Sequence, residues 1–196
     1  MKILLTAFEP FGDEKTNASL EAMKRIRAPR GIELIRLVVP TVFGLAGETV
    51  LRAVREEAPD VVLCLGQAAG RGTVTPERVA INIRDASIPD NAANMPQDEP
   101  IVPGGPVAYF SKLPVHAMVS AAQTAGVPAA VSNSAGTFVC NDLMYTLLHA
   151  LSEDYPQIRG GFVHVPVCSP LEKDPTGPIL STEKAVAAIE AMLTVI

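Results

Sequence analysis

The sequence predicts an α/β fold: a single three-layer α/β/α domain over residues 1–196, with a mostly parallel twisted sheet and a peripheral β-hairpin. Three observations carry this reading. Short, continuous apolar runs alternate with stretches of helical periodicity along most of the chain. The run at 61–66, Val-Val-Leu-Cys-Leu-Gly, is apolar on both faces, as a central parallel strand requires. Residues 78–83 instead alternate in period two, which suits a peripheral strand with one solvated face.

In chain order, residues 3–8 read as a strand and 19–27 as a helix. Residues 33–39 form the next strand, and 45–57 a helix with Leu45, Val50, Leu51 and Val54 on one face, stopped by Pro59. Further buried strands are expected at 127–132 and 161–167, and a closing helix from Ser181 as N-cap to Val195. Between them, residues 88–114 are proline-rich and read as a long functional or interface loop.

Composition narrows the function. With 48% hydrophobic residues and no tryptophan, aliphatic side chains must build the core. A net charge of -5, without a basic patch, argues against nucleic-acid or anionic-membrane partners. Residues 1–6 are too short an apolar run for a signal peptide, and no run is long enough to span a membrane. The three cysteines are widely spaced and form no disulfide framework, so a reducing cytoplasm is expected. Metal-ligand spacing is absent among histidines, cysteines and acids, and no cofactor is expected.

The most informative stretch runs from Ser132 to Asn141. A strand enters a turn of small residues, and Cys140 then stands in the first turn of an amphipathic helix. Unpaired N–H groups and the helix dipole favour a thiolate there. Alkylation below pH 8 should therefore fall first on Cys140. Cys64 lies inside an apolar strand and reads as core, while Cys168 follows a strand end. Among the histidines, His149 is too far along the same helix to reach Cys140, and His116 opens another helix. His164 sits near the carboxyl end of a buried strand, where α/β sheets bind ligands. A carboxylate should orient it, and Glu77, Asp85, Asp90, Asp142 and Asp174 all remain open. The glycine-rich turn at 66–72 completes no phosphate-binding motif and reads as a tight turn offering backbone hydrogen bonds.

Eight blocks, in order, resemble the pyroglutamyl peptidase I (pyrrolidone-carboxylate peptidase) family of cysteine peptidases. They are LTAFEPFG at 5–12, VPTVF at 39–43, LGQA at 65–68, ERVAIN at 77–82, IPDN at 88–91, GPVAYF at 105–110, AGTFVCN at 135–141 and GGFVHVP at 160–166. The resemblance implies a triad of Glu77, Cys140 and His164 and hydrolysis of the bond after an amino-terminal pyroglutamyl residue. It further implies a substrate pocket walled by Phe8, Phe11, Ile88, Phe138 and Val139, with Asn17 and Gln67 as polar contacts. The expected partners are peptides with amino-terminal pyroglutamate, and the expected assembly is a homotetramer. The chain departs from the family pattern at Ala7 and Asp13, at Ser87 in place of an arginine, and after His164, where a tyrosine is missing and a proline displaced. A cysteine amidase for a related lactam and a silent module binding blocked peptide ends are the competing readings.

Overall fold

A computed structural model describes residues 1–169 and 179–196. The chain opens with β1 (Lys2–Phe8), α1 (Ala18–Arg25), β2 (Glu33–Val39), α2 (Leu45–Glu57) and β3 (Val61–Ala68). The short strands β4 (Thr75–Pro76), β5 (Val79–Ile81) and β6 (Ala108–Phe110) follow, then α3 (Val115–Thr124) and α4 (Val139–Glu153). The last elements are β7 (Arg159–Pro166), β8 (Cys168–Ser169), β9 (Leu180–Ser181) and α5 (Thr182–Leu193).

The main sheet has the order β2-β1-β3-β7-β4, parallel except for the antiparallel edge strand β4. Its central strands are buried on both faces, as their unbroken apolar runs require. One face packs against α1, α3 and α5 through Leu5, Leu63, Val163, Met118 and Ile189. The other packs against α2 and α4 through Leu4, Val62, Phe162, Val50 and Leu147. This is the three-layer α/β/α arrangement. Strands β2 and β3 flank β1 on opposite sides, so the chain reverses its order between β1 and β3, where ligands bind in open α/β sheets. No helix among the described residues is long and apolar enough to cross a membrane.

Three local expectations change. The segment 127–132 is not a regular strand but makes isolated parallel bridges, Val74↔Ala129 and Glu77↔Ser132. Backbone bonds join Val74 to Pro128 and Ala130, Ser132 to Pro76, and Arg78 to Ser132. The link that would join the two bridges needs an N–H at residue 76, and proline has none. The period-two segment does pair at the periphery, β5 antiparallel to β6, but its partner emerges from the proline-rich stretch with residues 82–107 between them. Helix α1 ends at Arg25, short of the expected 27, because Ile26 turns out of helical conformation ahead of Pro29.

Candidate active site

Cys140 arrives on the second residue of α4. The turn before it needs Gly136 at φ 79, a left-handed conformation that side chains disfavour. Asn141 and Asp142, both fully buried, lock the helix start in place. Asn141 accepts from the Ile81 N–H and donates to the carbonyls of Ile81 and Ile83. Asp142 accepts from the Gly44 N–H at 2.8 Å and from Arg84 Nε at 2.5 Å. The first intrahelical donor is Asp142, to Phe138. The N–H groups of Cys140 and Asn141 thus precede the helical ladder and have no backbone acceptor among the described residues.

His164 is delivered by β7, paired with Gly66 on β3 and opposite Thr75 on β4. Paired residues in a ladder project to the same face, so the ring lies over the α4 side of the sheet. A Cβ at Gly66 would come within 3.0 Å of Cys140 Sγ. The sulfur therefore sits directly over Gly66, the ladder partner of His164, whose ring packs at 4.8 Å from the Phe162 ring. Glu77 leaves β4 with its N–H bonded to the Phe162 carbonyl and its Oε1 at 2.7 Å from His164 Nδ1. An ionised carboxylate only accepts, so Nδ1 carries the proton and Nε2 is left unprotonated.

The electrostatics differ from the sequence expectation. Burial pushes the Cys140 thiol up to about 12, and the Glu77 charge adds to the rise while Arg71 opposes it. Burial also lowers the His164 imidazole below its ordinary value, against the pull of Glu77. Burial alone would raise Glu77, but bonds from His164, Ser132 and Arg71 outweigh it and hold the carboxyl below its usual range. The resting pair is thus a neutral thiol and a neutral imidazole. Enclosure of the sulfur overrides the helix terminus, which corrects the expected resting thiolate.

Beside the sulfur opens a pocket of about 230 Å³, lined by Phe8, Phe11, Glu14, Thr16, Asn17, Thr41, Gln67, Ala69, Ile88, Phe138 and Cys140. It lies at the carboxyl ends of β1 and β3. Phe138 is gripped edge-on by Phe11 at 5.3 Å and Phe43 at 5.1 Å. Gln67 accepts the Ala18 N–H at 2.7 Å, which fixes its amide so that the nitrogen is the end left for a ligand. Asn17 is more committed: its Oδ1 caps α1 by accepting from Ser19 N–H and Oγ, and its Nδ2 donates to the Glu9 carbonyl.

Six of the seven sequence-named pocket residues line this space. Val139 does not: it is fully buried under α4 and belongs to the core, because helical geometry turns it away from its neighbours Phe138 and Cys140. The other carboxylates fall elsewhere. Asp90 is buried among the N–H groups of Phe43, Ala92 and Asn94, Asp142 pairs with Arg84, and Asp85 is exposed. Asp174 lies outside the described residues. His149 bonds the Tyr109 hydroxyl, and exposed His116 meets Arg78. Cys64 and Cys168 are buried. Sequence reasoning missed Glu14, Thr16, Thr41 and Ala69 on the wall, and Arg71, whose guanidinium reaches Glu77.

A thiol beside an imidazole that is oriented by a buried carboxylate defines, on this α/β/α frame, a cysteine hydrolase. Known proteins narrow the class. Residues 1–196 match the pyroglutamyl peptidase family. The pyrrolidone-carboxylate peptidase of Enterococcus faecalis is 53% identical over 167 residues, covering 85% of this chain and 78% of the relative. That of Streptomyces coelicolor is 49% identical over 194 residues, 98% of this chain and 90% of the relative. The crystal structure of Bacillus amyloliquefaciens pyroglutamyl peptidase I superposes with a TM-score of 0.96 at 42% identity, covering 99% of this chain and 95% of that one. The chain belongs to the pyroglutamyl peptidase family.

Proposed function

We propose that residues 1–196 form one catalytic domain that hydrolyses the bond after an amino-terminal pyroglutamyl residue, with Cys140 as nucleophile, His164 as acid and base, and Glu77 as its orienting carboxylate. The observation that carries this reading is the Cys140 sulfur seated over Gly66, the ladder partner of the histidine whose ring Glu77 holds at 2.7 Å.

In the resting site the thiol keeps its proton. As Sγ attacks the pyroglutamyl carbonyl carbon, that proton passes to His164 Nε2, and Glu77 stabilises the imidazolium being formed. The oxygen gains charge in front of the N–H groups at the start of α4, which have no competing backbone acceptor among the described residues. His164 then protonates the departing amine as the C–N bond breaks, leaving a thioester on Cys140. A water molecule, deprotonated by His164, attacks the thioester, and collapse returns the proton to sulfur and releases pyroglutamate.

The pocket supports the substrate assignment. Pyroglutamate is a lactam without an ammonium group, so it needs apolar walls and a few hydrogen bonds. Phe8, Phe11, Ile88 and Phe138 supply the walls, and the Gln67 amide nitrogen is a donor for the ring carbonyl. Three free thiols suit a reducing compartment such as the cytoplasm. The exposed Val107 and Phe110 around β6 suit association of copies, in keeping with a homotetramer.

The test is release of a chromophore from a pyroglutamyl amide, set beside glutamyl and prolyl amides. The reading expects turnover of the first alone, abolished in Cys140→Ala. Unchanged turnover in Cys140→Ala, or none in wild type, would refute it.

A further inference from the structure

We propose that Arg71 is a positioning residue for this hydrolysis, clamping the Glu77 carboxylate against His164 and tying both to the turn that delivers Cys140. The inference rests on the peptidase reading above and adds a residue to which that mechanism gives no role.

Arg71 lies in the loop between β3 and β4. Its Nη1 donates to Glu77 Oε1 at 2.6 Å and to Thr75 Oγ1 at 2.6 Å, while Nη2 donates to the Ser134 carbonyl at 3.0 Å. One guanidinium thus joins three segments: the loop after β3, the edge strand that places Glu77, and the turn that leads into α4. The same carboxylate oxygen, Oε1, receives both Arg71 and His164 Nδ1. Glu77 is fully buried, whereas the Arg71 side chain is 28% exposed, so the arginine closes the solvent side of the pair.

The chemistry gives this contact a function. A buried carboxylate stays ionised only with strong donors around it. If Glu77 took up a proton or rotated, nothing would hold the proton on His164 Nδ1, and the ring would be free to take the tautomer that blocks Nε2. Arg71 fixes both the charge and the rotation of the carboxylate. Its own charge also disfavours the imidazolium, in the same direction as burial. Among the described residues, the charged groups acting on the His164 ring are Glu77 and Arg71, with the Cys140 thiol on the far side of Gly66. A lysine can supply the charge but not the planar fork that spans Glu77, Thr75 and Ser134.

The experiment compares wild type, Arg71→Lys and Arg71→Gln on a pyroglutamyl amide across pH, reading kcat and KM separately and checking folding by thermal melting. Arg71→Gln should lose kcat by roughly 10- to 100-fold, within what general acid–base catalysis supplies, with KM changed by less than about threefold. The midpoint of its acidic limb should rise, since a nearby like charge no longer opposes the imidazolium. Arg71→Lys should restore the midpoint and only part of kcat. A wild-type midpoint in Arg71→Gln, or a loss confined to KM, overturns the proposal. The His164 ring titration, followed by NMR in Cys140→Ala with and without Arg71→Gln, gives the same comparison without turnover. That arm separates the two ideas: failure of wild type to cleave the amide would refute the peptidase reading, whereas an unshifted ring titration would refute the clamp.

Discussion

Gly66 lies under the sulfur of Cys140, and the missing side chain is what lets that sulfur reach the sheet. A Cβ there would stand 3.0 Å from Cys140 Sγ and 2.7 Å from Phe162 Cζ, both too close for an undisturbed contact. Gly66→Ala should therefore push Cys140 away from the His164 ring and cost about 1–3 kcal/mol of stability through overpacking. We expect kcat to fall by more than tenfold, because small displacements of reacting groups carry such penalties. Paired denaturation and kinetic measurements check this; wild-type kcat in a folded Gly66→Ala protein would show that the sulfur does not depend on that space.

The resting protonation states set the pH behaviour. His164 has its folded pKa below the ordinary 6.5, so the base stays free as pH falls past that value and activity declines only at lower pH. Stability follows the same sign. A group with a depressed folded pKa contributes above its unfolded pKa, and that contribution is lost as pH falls from there through the folded value. His164 and Glu77 both act this way, so acidification should lower the melting temperature, below about pH 6.5 through His164 and further below about pH 4.5 through Glu77. Iodoacetamide should still label Cys140 first, but because it is only partly buried and lines the open pocket while the other two thiols are fully enclosed, rather than because it is a resting thiolate. Its rate in the free enzyme should keep climbing with pH toward the thiol value of about 12. A rate that levels off near neutral pH would indicate a preformed ion pair instead.

Ser87 is exposed on the loop that ends at the pocket wall residue Ile88. That loop is pinned to the turn before Cys140, since the Asp85 N–H bonds the Thr137 carbonyl and Thr137 Oγ1 bonds the Asp85 carbonyl at 2.7 Å. Arg84 is not available to replace an arginine at 87, because Asp142 holds it. Ser87→Arg should fold normally and keep or raise kcat/KM for a pyroglutamyl amide. A large loss in the folded variant would mean that the site is built around the serine.

Specificity should follow from the missing ammonium partner. The walls are apolar, and their one carboxylate, Glu14, is exposed and so screened by water. Burying an unpaired amino-terminal charge beside Phe8 and Phe138 costs several kcal/mol. Glutaminyl and glutamyl amides should thus be turned over at least about 100-fold less efficiently than the pyroglutamyl amide. Comparable kcat/KM values would contradict the pocket assignment.

Much of this site was legible because its parts are local. The helix start at Cys140, the strand carrying His164 and the buried run of β3 each announce themselves over a few residues. The motif blocks then selected Glu77 from among the acids, which spacing alone left open. What stayed hidden depends on contacts between distant segments. Arg71 reaches Glu77 across an edge strand, and nothing in a glycine-rich turn signals that bond. Val139 was a wall residue by family resemblance, but helical rotation sends its side chain into the core. Pro76 broke the pairing of 127–132 from the opposite segment, where a reading of those six residues alone does not look. The thiol pKa failed for a similar reason: enclosure is a property of the packed site, not of the helix that carries it.

The most direct test of the account is to quench wild-type enzyme in acid during turnover of a pyroglutamyl ester and map the acyl group by peptide mass spectrometry. An ester loads the enzyme faster than an amide, so the thioester accumulates. The account predicts a pyroglutamyl thioester on Cys140 and on no other residue. An acyl group on a different side chain, or turnover in which Cys140 stays unmodified, would contradict it.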